Sequence, residues 1–149
     1  MSAIGRTKQT GAIYYSPSET HPGLTLYAPL NGKEAVMVNM VGKTIQKWNL
    51  EYSPAGHVEL LANGNLLVAG RVENGPMCHF DGSGGVLQEL DKSGEVVWQH
   101  TDPMHHHTFL RLENGNTIYP KWVNVPREIA ENVQGGLPGF DENGDMWGY

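Results

Sequence analysis

Three consecutive histidines, His105-His106-His107, are the residues of this chain best suited to chemistry. An imidazole changes charge near neutral pH, and when neutral it offers one nitrogen as nucleophile or base and the other as donor. Three in a row are poor strand formers with no obvious packing reason to stand together. His57 and His79 precede them, and Arg71, Arg111 and Lys121 are nearby cations for an anionic group. Side chains alternate along an extended strand, so His105 and His107 are expected to share one direction and His106 to point the other way. Such a set suits sulfuryl or acyl transfer: a neutral imidazole attacks, a second protonates the departing oxygen, and fixed cations hold the negative charge. The candidate catalytic residues are therefore His106, His107, His57 and His105, and the candidate substrate-binding residues are Arg71, His79, Lys121 and Arg111. A metal reading competes, with His105 and His107 as two ligands and His57 or His79 as a third. No local cluster of Asp, Glu or Cys reinforces it, and the single cysteine, Cys78, makes neither an internal disulfide nor a CxxC site. No cofactor is expected.

The elements that must position these residues are short strands. The chain holds 19 Gly and 9 Pro in 149 residues, about 19 per cent against an average near 12, and the glycines punctuate short apolar runs. That composition points to an all-β fold. A polar arm over 1–23 leads into a strand from Leu24 to Ala28. Val36–Met40 and Thr44–Trp48 flank Gly42-Lys43 as a hairpin, and Val86–Asp91 and Glu95–Trp98 flank Ser93-Gly94 as another. The two tryptophans stand 50 residues apart, and Asn63-Gly64-Asn65 and Asn114-Gly115-Asn116 stand 51 apart. Self-similarity at about 40–50 residues, with four strands per period, is the mark of a β-propeller. His57–Ala62, Asn65–Arg71, Val86–Leu90 and Glu95–His100 then form one blade, and His106–Leu112 and Asn116–Trp122 begin the next. Propeller blades fill 24–122. After Trp122 the rhythm breaks: 123–149 reads as a long loop in which Pro126–Gly135 holds a short helix and Leu137–Tyr149 is Gly-rich, with no third or fourth strand. The strands amount to about two to three blades where propellers need about four to eight. A second polypeptide, a product of cleavage after Tyr149 or partner copies are expected to complete the ring, because open sheet edges invite aggregation.

Ten Lys and Arg against sixteen Asp and Glu give a net charge of −6 without any block of like charge, which offers no footprint for nucleic acid. The first residues lack the apolar core of a secretory signal, and no long apolar run offers a membrane span, so a cytoplasmic chain is expected. The expected partner besides the second polypeptide is a small aromatic or anionic substrate.

Val38-Asn39-Met40, Gly42-Lys43 and Trp48, then Trp98, His106-His107-Thr108-Phe109, Leu112 and Asn114-Gly115-Asn116-Thr117, resemble the arylsulfotransferase family of bacterial β-propellers. That family commonly carries His-His-Asp-Phe followed by Leu-Pro-Asn-Gly-Asn-Thr at this place. The resemblance covers Leu24 to Trp122 and implies a six-bladed propeller, independent of metal, that moves a sulfuryl group between phenols through a sulfated histidine. Thr108 stands where the family has an acidic residue, which removes a carboxylate that could orient an imidazole. The family's enzymes also work outside the cytoplasm. Two other functions fit a propeller with these loops: a hydrolase or lyase of another class, matured by cleavage after Tyr149, and a non-catalytic binding module.

Overall fold

The computed structural model describes residues 12–130, 132–134 and 146–148. It is all-β, with antiparallel sheets and no closed barrel among the described residues. The first sheet holds β1 (Thr25–Tyr27), β2 (Glu34–Val38) and β3 (Thr44–Asn49) in chain order. The second holds β4 (Ser53–Leu60), β5 (Leu66–Arg71), β6 (Gly85–Leu90) and β7 (Val96–Thr101), again in chain order. A hairpin of β8 (Leu110–Arg111) and β9 (Thr117–Ile118) follows, and β10 (Val123–Val125) pairs with β11 (Met146–Gly148).

Turn chemistry closes these hairpins locally. Asn39 Oδ1 accepts from the backbone N–H groups of Val41 and Lys43, at 3.2 and 2.9 Å, and Asp91 Oδ1 does the same for Ser93 and Glu95, at 2.8 and 3.0 Å. Asn63 and Asn114 each accept from the N–H two residues on. A short carboxylate or amide at the first turn position therefore substitutes for a backbone partner and sets where each strand pair begins.

The second sheet is covered on both faces, which is why β5 opens on the unbroken apolar run Leu66-Leu67-Val68-Ala69 and why β6 buries Gln88 and Glu89 along with Val86, Leu87 and Leu90. Leu66, Val68 and Leu90 pack with Ala35, Trp48 and Leu50 of the first sheet and its exit. Leu67, Ala69 and Leu87 turn the other way and pack with Phe109 before β8 and Tyr119 after β9. Leu66, Leu67, Leu87 and Leu90 are all within 2 % of fully buried, and each such side chain contributes about 1.5–3 kcal/mol over an exposed one. Trp48 seals the first junction, and its indole N–H donates to Asp91 O at 2.9 Å.

Most strands and the helix α1 (Arg127–Ala130) fall where expected, but the strands expected over His106–Leu112 and Asn116–Trp122 shorten to β8 and β9, and the stretch 123–149, expected to carry no further strand, holds both β10 and β11. Leu137–Tyr149 is expected to be loop, yet Met146–Gly148 adds a strand to β10 with Asn124 opposite Trp147. Extended, glycine-flanked apolar residues can pair as soon as an open edge is near, and β10 supplies that edge. The polar arm carries no strand or helix over 12–23, and its first eleven residues lie outside the described ones. The Gly135-Gly136 helix stop and the cleavage point after Tyr149 lie outside them too. Among the described residues no helix is long and apolar enough to cross a membrane.

Candidate functional site, a histidine pair on a glycine step

Residues 105–107 run between two backbones. On one side His106 lies opposite Ser83, with His107 N–H bonded to Gly82 O at 2.8 Å and Gly84 N–H to His105 O at 3.0 Å. On the other, His105 bridges Lys121, and His106 N–H bonds to Pro120 O at 3.2 Å. The antiparallel register sets Gly82 beside His107 and Gly84 beside His105. A Cβ on either glycine would collide with the facing imidazole. Gly82-Ser83-Gly84 is thus a step cut to take two rings, and Gly82 also needs its φ of +75°. The signal was available in the sequence as closely spaced glycines ahead of a strand, but nothing local names the histidines as their partners.

The expected alternation fails at His107, whose φ is +60°. This left-handed residue ends the extended path, so His107 swings beside His106 instead of beside His105. The His106 and His107 rings meet edge to face, 5.1 Å between centroids, with their Nδ1 atoms 2.8 Å apart. One nitrogen of the two must hold the hydrogen and the other accept it. His106 is buried and His107 exposed. Burial, and then the neighbouring His107, push the His106 imidazole below the ordinary histidine value. The Trp122 ring lies 4.8 Å from His106, and Phe80, 45 % exposed, lies 5.5 Å beyond Trp122.

His105 does a different job. It is 1 % exposed, its ring meets Tyr119 edge-on, and its Nε2–H donates to the Thr108 carbonyl at 3.1 Å. Because a carbonyl only accepts, the hydrogen sits on Nε2. Its Nδ1 is buried with no hydrogen-bond partner among the described residues. Burial holds this imidazole below the ordinary value despite the Thr108 contact. At position 108 the backbone, rather than an acidic side chain, orients a histidine.

The remaining candidates divide. His57, half-buried on β4, packs edge-on against Phe109 at 4.5 Å, and the adjacent Gly56 lets β4 approach the His107 carbonyl. His79 is exposed on the 72–84 loop. Arg71 donates to Cys78 O in that loop and lines a cavity of about 180 Å³ with Asn31, Ser53 and Glu73. Lys121 donates to Asp102 Oδ2 at 3.0 Å. Arg111 is turned inward, 3.3 Å from Glu89 Oε2 and 4.7 Å above the Trp98 ring, so its charge serves the joint between the second sheet and the β8–β9 hairpin.

Sequence reasoning missed one network. The Tyr119 hydroxyl donates to Asp102 Oδ2 at 3.0 Å and so accepts from His100 Nε2 at 2.8 Å. Burial alone would raise the Asp102 carboxyl, but hydrogen bonds from Met104 N–H, Lys121 and Tyr119 outweigh it and hold the group below the ordinary carboxylate range. Burial and Asp102 raise the Tyr119 phenol. The network ties the end of β7 to the segment between β9 and β10 and fixes the floor under His105.

With His105 facing Gly84 and His107 facing His106, the two ligands of the metal reading do not converge. Among the described residues no group of three or more His, Cys, Asp or Glu is placed to share an ion. Compared with protein-family models, curated proteins and solved structures, the chain matches none.

Proposed function

We propose that this chain is part of an arylsulfotransferase-like β-propeller enzyme, which moves a sulfuryl or related group from a small aromatic ester to a phenol or to water. The observation that carries the reading is the His106–His107 pair, joined Nδ1 to Nδ1 at 2.8 Å beside the Trp122 and Phe80 rings. An aryl substrate stacks on such rings, and a polarised imidazole attacks what the ring carries.

In the productive tautomer His107 Nδ1–H donates to His106 Nδ1, which leaves the lone pair of His107 Nε2 for the substrate. The N–S bond forms as the S–O bond to the aryl group breaks, and the phenolate departs with that electron pair. Attack makes the His107 ring cationic, and its Nδ1 proton is then shared with His106, which spreads the charge. Burial keeps His106 neutral beforehand and so ready to accept. His57, beside Phe109, gives a proton to the departing oxygen. A phenol or water then takes the group from His107, and the proton transfers run in reverse. The stacked sheets fit a propeller whose remaining blades come from a second polypeptide.

The test is incubation with 4-nitrophenyl sulfate, following nitrophenolate release and the mass of the peptide bearing His107. The expected result is a gain of one sulfuryl group on that peptide, lost in His107→Ala. His106→Ala should slow release by about 100-fold or more. No adduct, or an adduct indifferent to His107→Ala, rejects the reading.

A further inference from the structure

One side chain beside the His106–His107 pair has no part in the sulfuryl chemistry. Ser83 is 4 % exposed, and its hydroxyl bonds to none of the described residues. The two backbone bonds that flank it, Gly84 N–H to His105 O and His107 N–H to Gly82 O, make Ser83 and His106 a non-hydrogen-bonded antiparallel pair. In such a pair the Cα atoms approach to about 4.5 Å, and both side chains stand on one face of the ladder. Gly82 and Gly84 bear no side chain, so Ser83 carries the only one that the glycine step offers to the histidines. A buried hydroxyl without a partner opposes folding, and its place against a reacting pair calls for a chemical reason.

We infer that Ser83 is a second nucleophile, which takes a small acyl group from an uncharged aryl ester while His106 and His107 accept its proton. The inference shares the histidine pair with the proposed function but does not depend on sulfuryl transfer. In the tautomer opposite to the one used there, His106 Nδ1–H donates to His107 Nδ1, and His106 Nε2 holds the lone pair that takes the Ser83 proton. A bond between nucleophile and base commonly closes only with substrate in place. Burial keeps His106 neutral and so able to act as that base. The Ser83 Oγ–C bond forms as the ester C–O bond breaks, and the departing phenolate takes the proton from His106. Water then gives a proton to His106 and attacks the acyl carbon. Ser83 leaves with that proton, and a carboxylic acid is released.

The surroundings set the substrate class. The aryl end stacks on Trp122, 4.8 Å from His106, and on the half-exposed Phe80 beyond it. A carboxylic ester brings no charge that needs a cation, and Arg71, Lys121 and Arg111 are engaged by Cys78 O, Asp102 and Glu89. Ser83 lies too deep for a long acyl chain, so acetyl and similarly small groups are the ones it takes.

The experiment is incubation of the full chain with 4-nitrophenyl acetate, following nitrophenolate release and the masses of the tryptic peptides. Cleavage after Arg71, Lys92 and Arg111 puts Ser83 in one peptide and His105, His106 and His107 in the next. The expected result is one acetyl group on the Ser83 peptide, absent in Ser83→Ala and formed about 100-fold more slowly in His106→Gln. Cys78 and His79 share that peptide, so an acetyl group that survives Ser83→Ala overturns the inference, as does one found on the histidine peptide alone. The octanoate ester should label Ser83 at least about 10-fold more slowly than the acetate, and equal rates overturn the small-acyl assignment. With no partner to lose, Ser83→Ala should unfold in urea at a midpoint no lower than that of the wild type, and a lower one makes the hydroxyl structural and overturns its reactive role. 4-Nitrophenyl sulfate keeps the two readings apart. An acetyl group on Ser83 without a sulfuryl group on His107 rejects only the sulfuryl reading, and the converse rejects only this one.

Discussion

A histidine's role in this chain is decided by what lies across from it. His105, His106 and His107 are identical in sequence, yet one is sealed against Gly84, one is buried beside Trp122 and one stands exposed over Gly82. The glycine step is therefore as necessary as the imidazoles. Gly82→Ala forces a Cβ into the His107 ring at a φ of +75°, so it should destabilise the chain by about 1–3 kcal/mol in urea unfolding and abolish adduct formation at His107. Gly84→Ala should cost a similar amount by displacing His105. Because His105 is not in the proposed reacting pair, the adduct should still form in whatever fraction remains folded. The run of histidines was legible in the sequence as chemistry. Which two of them pair was not, because strand alternation selects His105 with His107 and a single left-handed residue undoes it. The Tyr119–Asp102–His100 network was illegible for another reason: Tyr119 lies 17 and 19 residues from Asp102 and His100 in sequence and meets them only after β7 and the segment following β9 are brought together.

At the scale of elements, local turn chemistry and apolar runs were enough to place nearly every hairpin. Asx turns and strand patterns act over four to eight residues, so they can be read without the fold. The joints between sheets depend on side chains far apart, and they carry a different kind of prediction. Glu89 is 9 % exposed and is satisfied from three directions, by Asn63 at 3.2 Å, Asn65 at 2.8 Å and Arg111 at 3.3 Å. Arg111→Ala removes the only cation among these partners, along with its contact over Trp98. The expected loss is about 1–3 kcal/mol of stability, measured in urea, with far-ultraviolet circular dichroism unchanged. A solvated strand arginine would cost a few tenths, so the size of the loss separates a joint from a surface residue.

For the molecule as a whole, buried titratable groups make stability a function of pH in two acid steps and one alkaline one. His105 and His106 are held below the ordinary histidine value of 6.5 chiefly by burial. As pH falls through 6.5 the unfolded chain takes up protons that the folded chain refuses, so stability drops by up to about 1.4 kcal/mol per pH unit for each histidine. The drop levels off once the folded histidines also titrate. Asp102 is held below its ordinary 3.8, so its contribution is complete above that pH and is lost as pH falls through the lower folded value. Tyr119 is raised above 10.0, and its contribution is complete below 10.0 and lost as pH rises past it. Unfolding free energy measured from pH 8 to pH 3 should therefore fall first below 6.5 and again below 3.8. His105→Gln removes the His105 share of the first step and leaves that of His106, because the amide cannot take the proton, and Asp102→Asn removes the second. His105 protonation would place an N–H on Nδ1, toward Gly84 where no acceptor waits, and this is the physical reason for the first step. A pH profile that His105→Gln leaves unchanged would mean that this imidazole binds its proton equally well in the folded and unfolded chains, and its burial against Gly84 would not be what sets the first step.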